Sequence, residues 1–339
     1  MKIQVKEIRK IASQILLELG IDEKETEVII DSYLEADLCG VSTHGFNIFP
    51  EHIKKFINGT YPIHSNIVTE KETCSFSVLN ANSAIGPVAA EKAMKLAVQK
   101  AKKSGIYYVF VRNANTFGPA FVYNNIALRN KMIGITFSNS PAQMAPIGGI
   151  EKLIGTNPMA ISIPAEKENP IIYDIATSQV AKSKIKEAMQ EGRKIPMDWA
   201  TDSKGIPTDD PQEAINGFVL PMAGYKGYGL SVCIDILSGL ISGASYLNNV
   251  GRFYGNEKCM NVGFTIIAMD PVQILDSTFF DKVDEYIRKI KNSTKVGNQT
   301  DIKIPGENRI ELKKRNLKEG IELSNEIIEK IQNYVNELR

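Results

Sequence analysis

The chain has 339 residues, 43% of them apolar and 23% charged, with a formal net charge of +1. That length suits about two domains with a sizeable core, and the charge balance excludes a nucleic-acid-binding surface, which needs a basic excess. The four cysteines, Cys39, Cys74, Cys233 and Cys259, are scattered, with neither a CxxC pair nor a Cys/His ligand spacing, so neither a disulfide framework nor a metal site is predicted.

In chain order, the first sixty residues read as helices. Val5, Ile8, Ile11, Ala12, Ile15, Leu16 and Leu19 share one face, and Gly20 stops the run. The N-terminal stretch is charged throughout and lacks the apolar block of a secretory leader, so a cytoplasmic protein is expected. Asp22, with Glu25 three residues on, caps a second helix that ends near Gly40. The loop "STHG" follows, then a short helix between Pro50 and Gly59.

From there strand and helix alternate. Strands are predicted at 75–80, 107–112, 132–139, 157–164, 170–177 and 263–271. Helices are predicted at 86–105, 119–130 and 181–190. Residues 192–224 are rich in Gly, Pro and Asp, with little periodicity, and a segment that long is expected to cover a site. The apolar run 227–244 contains Asp235 and four glycines. It reads as one buried or subunit-interface helix, not a membrane span, which needs about 20 predominantly apolar residues. Amphipathic helices at 277–293 and 318–339 close the chain. The pattern predicts an α/β fold. A helical domain comes from residues 1–70 joined by 305–339, and an α/β domain spans 71–304.

Familiar chemical motifs are missing. No G-x-G-x-x-G follows a strand, and there is no P-loop, no G-x-S-x-G elbow and no H-E-x-x-H. What remains is a set of polar turns. "YDIATSQVAKSK" passes from strand to helix, with Thr177 and Ser178 at the junction. They either cap the helix or leave its amides to an anion. Asp174 either holds a polar ligand group or caps a turn. Lys226 between Gly224 and Gly227 is either a surface lysine or a contact for an anion. In "IPGENR", close backbone approach is open to a ligand. Histidine is the natural proton donor near neutral pH. His44, beside Gly45, is a candidate; its surroundings do not decide between catalysis and an ordinary loop position. His52, in a helix among lysines, and His64, in a loop, read as bystanders.

Nine stretches fall in register: "ADLCGVSTHG", "AMKLAVQKAKKSG", "VRNANTFG", "MAPIGGIEKLIGTNPMAISIP", "DIATSQVAKSKI", "GIPTDDPQEA", "LPMAGYKGYGL", "AMDP" and "IPGE". Together they resemble the type 2 malate/L-lactate dehydrogenase family. That family includes ureidoglycolate and sulfolactate dehydrogenases, diketogulonate reductase and piperideine-2-carboxylate reductases. The resemblance implies a non-Rossmann α/β domain that binds NAD or NADP, a helical domain built from both chain ends, and a homodimer acting on a small-molecule substrate. It implies His44 as proton donor. It implies cofactor contacts at Thr156, at Asp174, Ile175, Ala176, Thr177 and Ser178, at Tyr225 and Lys226, and at Pro305 and Gly306. Asn139 would border the site. Three positions depart from the family pattern. The arginine that pairs with the substrate carboxylate is Ile48, a second histidine is Thr116, and a Gly-His pair is Gly263–Phe264. The implied activity is hydride transfer between nicotinamide and a 2-hydroxy/2-oxo acid in an altered pocket. The alternatives are reduction of a cyclic imine or a ketone lacking the carboxylate, or a catalytically silent nucleotide binder.

Overall fold

The computed structural model describes residues 2–254, 259–297 and 301–337. Its centre is a seven-stranded sheet: β1 (Val68–Glu72), β2 (Phe76–Asn80), β3 (Ile106–Ala114), β4 (Ile133–Ser138), β5 (Met159–Ile163), β6 (Ile171–Ile175) and β7 (Val262–Met269). The spatial order is β1-β2-β3-β7-β4-β5-β6. Only β2 and β3 run parallel; every other neighbouring pair is antiparallel. The parallel pair is joined by helix Gly86–Ser104, as a parallel connection requires. Strand β7 lies at the centre, which explains its near-continuous apolar sequence: seven of its eight residues are buried. At the far edge, β1 is "VTEKE" and exposed throughout. Its charges blunt the edge against further pairing. They also hide the strand from a periodicity reading, which placed no strand before residue 75.

The principal helices are α1 (Val5–Glu18), α2 (Glu23–Leu38), α3 (Phe49–Ile57), α4 (Gly86–Ser104), α5 (Ala120–Arg129), α6 (Lys182–Gln190), α7 (Tyr225–Asp235), α8 (Thr278–Lys291), α9 (Glu307–Glu319) and α10 (Asn325–Glu337). α4 packs on β3 and β7, and α5 on β4 and β5. The buried stripe of α4, Ala89, Ala90, Ala93, Ala97 and Ala101, is small enough to let the helix lie close to the sheet. α2 covers α4 and α5. Asp22 caps α2 as predicted, accepting from the Lys24 and Glu25 amides. Glu25 does not complete a capping box; it accepts from Ser65 Oγ at 2.8 Å.

The two chain ends meet. Lys2–Ile3 pairs antiparallel with Ile321–Glu322, α1 packs on α10, and α9 packs on α2. The expected single helix over 318–339 is therefore broken. Gly320, at φ +88°, ends α9, and a Cβ there would meet the Ile3 carbonyl oxygen at 2.5 Å.

The run expected as one helix at 227–244 begins earlier and changes form. α7 starts at Tyr225, and Ile236–Leu240 continues as a π-helical turn. Among the described residues no helix is long and apolar enough to cross a membrane. The long segment 192–224 contains the short helix Pro211–Asn216. It is tied together by bridges Ala200–Val219 and Thr201–Pro207.

Candidate active site

α2 ends at Leu38, Gly40 follows at φ +77°, and the chain turns tightly through Ser42–His44. Asp37, on the last turn of α2, holds this loop from below. Its buried carboxylate accepts from the Phe46 amide at 2.8 Å. The contact is so close that a Cβ on Gly45 would meet Asp37 Oδ1 at 1.9 Å. Burial pushes Asp37 up to about 7, partly opposed by the Phe46 amide. The sequence reading did not single out Asp37, because a helix-terminal aspartate carries no signal of burial.

His44 is partly buried. Its Nδ1 lies 2.9 Å from Thr43 Oγ1, which leaves Nε2 as the ring nitrogen open to a ligand. Burial holds its pKa down to about 4. It lies on the wall of a cavity of about 470 Å³, together with Ile48, Thr116, Asn139, Thr156, Asp174, Ile175, Ala176 and Ser178. Sequence-distant turns thus converge on one space. Thr177 is fully buried behind that wall. Its amide donates to the Thr156 carbonyl at 2.9 Å, and its hydroxyl has no protein partner among the described residues.

Tyr225 and Lys226 do not line the cavity. They form the first turn of α7, with Tyr225 71% exposed. Pro305 and Gly306 also lie off its wall. The Pro305 carbonyl accepts from the Ile172 amide in β6. Gly306, at φ +97°, N-caps α9 so close to Ile172 that a Cβ would lie 2.7 Å from that residue's Cβ.

Asn139 sits at the wall, but its amide is already fully used. Nδ2 donates to Asp235 Oδ1 at 3.2 Å and to the Ser245 carbonyl at 2.7 Å, and Oδ1 accepts from the Gly263 amide at 2.9 Å. It is a brace for the wall, not a free ligand for substrate. Asp235 in turn accepts from the Leu247 amide at 2.9 Å, which explains a carboxylate inside an apolar run. Gly263 is required by the π-turn, since a Cβ would lie 2.3 Å from the Ser238 carbonyl oxygen. Its neighbour Phe264 is fully buried against Phe117, ring centroids 4.7 Å apart.

Thr116 Oγ1 lies 3.3 Å from Met260 Sδ and 3.5 Å from Tyr61 Oη. His52 is no surface residue: it is buried among Tyr33, Tyr61 and Phe253, with both ring nitrogens unpartnered among the described residues. Burial and Lys55 hold it down to about 3.

Two cations on the cavity wall escaped the sequence reading. Arg309 Nη1 reaches Asp174 Oδ2 at 3.3 Å, Nη2 donates to the Asp174 carbonyl at 2.9 Å, and the guanidinium lies 4.7 Å over the Phe121 ring. Asp174 is still raised from its ordinary value, because burial outweighs Arg309. Lys182 begins α6 and has no hydrogen-bond or ion-pair partner among the described residues. Its signal was present in "QVAKSK", but nothing local distinguished it from a solvated helix lysine.

Comparison with known proteins agrees with this architecture. The sequence profile described as malate/L-lactate dehydrogenase matches residues 3–332. The chain is 39% identical over 340 residues to the malate/(S)-sulfolactate dehydrogenase of Methanothermus fervidus, covering 100% of this chain and 98% of that protein. It is 29% identical to the ureidoglycolate dehydrogenase (NAD(+)) of Escherichia coli, covering 96% of this chain and 94% of that one. Among solved structures, the sulfolactate dehydrogenase from Methanocaldococcus jannaschii superposes with a TM-score of 0.94 at 36% identity. That match covers 100% of this chain and 97% of the other. The chain belongs to the malate/L-lactate dehydrogenase family.

Proposed function

We propose that the chain is an NAD(P)-dependent oxidoreductase that moves a hydride between nicotinamide and a small 2-hydroxy/2-oxo acid, with His44 as the proton-transfer group. The observation that carries this reading is the placement of His44. Its imidazole, steadied at Nδ1 by Thr43, shares a cavity with the Asp174–Ser178 strand end. The residues fit a dinucleotide. The buried Thr177 hydroxyl is unpaired by protein among the described residues. Lys226 stands at the N-terminus of an eleven-residue helix, where backbone amides and the helix dipole favour an anion.

When bound, the nicotinamide accepts or supplies the hydride. The chain positions the reacting carbon and moves the proton. Desolvation keeps His44 neutral at physiological pH. Neutral imidazole is the form that takes the hydroxyl proton of a 2-hydroxy acid, and the imidazolium so formed is the donor in the reverse direction. Asp37 holds the loop that carries the imidazole, through the Phe46 amide.

The helical elements of both chain ends act in this reading as one domain, and the sheet as the non-Rossmann cofactor domain. A homodimer is supported by the exposed apolar run Ile236, Leu237, Leu240 and Ile241, each more than 40% accessible. A cytoplasmic location accords with four free cysteines.

The second reading, reduction of a ketone or cyclic imine without the carboxylate, is favoured by Ile48 and Thr116, which both face the cavity. The test is oxidation of NADH and NADPH with pyruvate, oxaloacetate, a cyclic imino acid and carboxylate-free ketones. Turnover of the 2-oxo acids is expected. Turnover of the carboxylate-free compounds alone would establish the second reading. Cofactor binding with no turnover of any of them would refute both.

A further inference from the structure

The wall of the His44 cavity carries an electrostatic imbalance. Asp174 is the one acidic residue among those lining it, and Arg309 already pairs with it. Lys182 lines the same cavity with no acidic partner among the described residues. Three more cations stand near it, and none brings a carboxylate. Lys152 Nζ donates to the neutral Asn216 carbonyl at 3.1 Å. Lys186 Nζ lies 5.5 Å over the ring of Tyr254, itself a wall residue. Arg252 has no acidic partner among the described residues. Burial, and then Lys152, Lys186 and Arg252, push Lys182 down to about 8. Clustered like charges in a partly desolvated wall oppose folding, and they mark a site where an anion relieves the repulsion. Position 48, where the family pattern places an arginine, is Ile48 here, whose side chain offers no donor.

Resting on the 2-oxo acid reading above, we propose that Lys182, on the wall of the His44 cavity and without an acidic partner among the described residues, is the anchor for the substrate's acid group, in place of a cation at residue 48. The ammonium donates to the carboxylate and leaves the carbonyl to face His44 Nε2. The substrate class is therefore an anionic 2-oxo acid held from the α6 side of the cavity. The same charges suit a cofactor phosphate, so the test must separate the two sources.

The experiment compares wild type, Lys182→Met and Lys182→Arg in steady-state reduction of oxaloacetate and pyruvate and of a carboxylate-free ketone. The expected result for Lys182→Met is a KM for the acids raised about 10- to 100-fold, the range for losing one charge-assisted hydrogen bond. The KM for NADH and NADPH and the ketone rate stay unchanged, and Lys182→Arg restores most of the loss. Adding Ile48→Arg to Lys182→Met is expected to recover acid turnover. A rise confined to the cofactor KM overturns the proposal and assigns the cluster to phosphate; equal losses for acids and ketone, or no loss, also overturn it. A second readout does not depend on turnover. Acylation of Lys182 by an amine reagent, read by mass spectrometry, is expected to be blocked by oxamate and not by neutral oxamide. Protection by oxamate with no turnover of any acid would uphold the anchor and refute the proposed reaction. Absence of protection by oxamate, or protection by NADPH alone, refutes the anchor.

Discussion

Gly45→Ala tests whether the loop that carries His44 is seated on Asp37. Gly45 has φ −94° and ψ −151°, an extended conformation open to any residue. The cost of a methyl group is therefore overlap, not backbone strain. That methyl would lie 1.9 Å from Asp37 Oδ1, 2.1 Å from Cγ and 2.4 Å from Oδ2. Asp37 is only 6% exposed, so its carboxylate cannot swing into solvent. Forced overpacking costs about 1–3 kcal/mol. If the carboxylate is also pushed off the Phe46 amide, then at pH about 8, where Asp37 is ionised, a charged buried hydrogen bond worth about 1.5–3 kcal/mol goes with it. Gly45→Ala should therefore lose about 2.5–6 kcal/mol of stability in urea denaturation. Activity should fall about 100-fold if the imidazole is displaced by about 1 Å. Asp37→Ala alone should cost about 1–3 kcal/mol by leaving the Phe46 amide unpaired. In the double variant the new methyl occupies the space the carboxylate vacated. The two costs should fall short of their sum by at least about 1 kcal/mol. Strict additivity would refute the steric coupling.

Other outcomes follow from the same geometry. His44→Ala should lower kcat about 10²- to 10⁴-fold while leaving cofactor affinity unchanged by fluorescence titration; unaltered turnover would remove the histidine from the chemistry. Arg309→Met should cost about 3 kcal/mol by stranding a buried Asp174 carboxylate. Lysine should not rescue it, since the fork also serves the Asp174 carbonyl; a stability change within about 0.5 kcal/mol would contradict this. His44 and His52 sit at about 4 and about 3 in the folded chain, against an imidazole near about 6.5 when unfolded. Below about 6.5 the unfolded chain binds protons that the native state refuses, so these groups make stability fall as pH drops toward about 4. Asp37, held protonated up to about 7, contributes the opposite slope between about 4 and 7, so the comparison is made by difference. His52→Phe should flatten the acid loss in urea titrations below pH about 6.5; an unchanged pH profile would argue against a buried neutral His52.

Much of the sheet was legible because its strands carry strong apolar runs, and β7 reads as buried on both faces from "GFTIIAM" alone. β1 was not legible: an edge strand of charged residues has no hydrophobic period to detect. The tail was misread for a related reason. Gly320, at φ +88°, is a local glycine stop that the amphipathic pattern on either side obscured, and its packing against Ile3, more than three hundred positions away, has no local signal at all. At the site, family resemblance in the STHG loop and the DIATS turn pointed to positions that the fold brings to one cavity. It could not show that the Asn139 amide is spent on bracing, because three partners from distant segments use it. Nor could it show Arg309 facing Asp174 across 135 residues of chain.

That brace has a further consequence. One carboxamide fastens the end of β4 to the Ser245 loop, to Asp235 and to Gly263. The π-turn beginning one residue after Asp235 carries the exposed apolar run Ile236–Ile241 on its outer side. The cavity wall and the apolar outer face are thus two sides of a single partition. A contact made on the outer side is therefore expected to reach the cavity through the Asn139 carboxamide, and losing that carboxamide is expected to loosen both sides together.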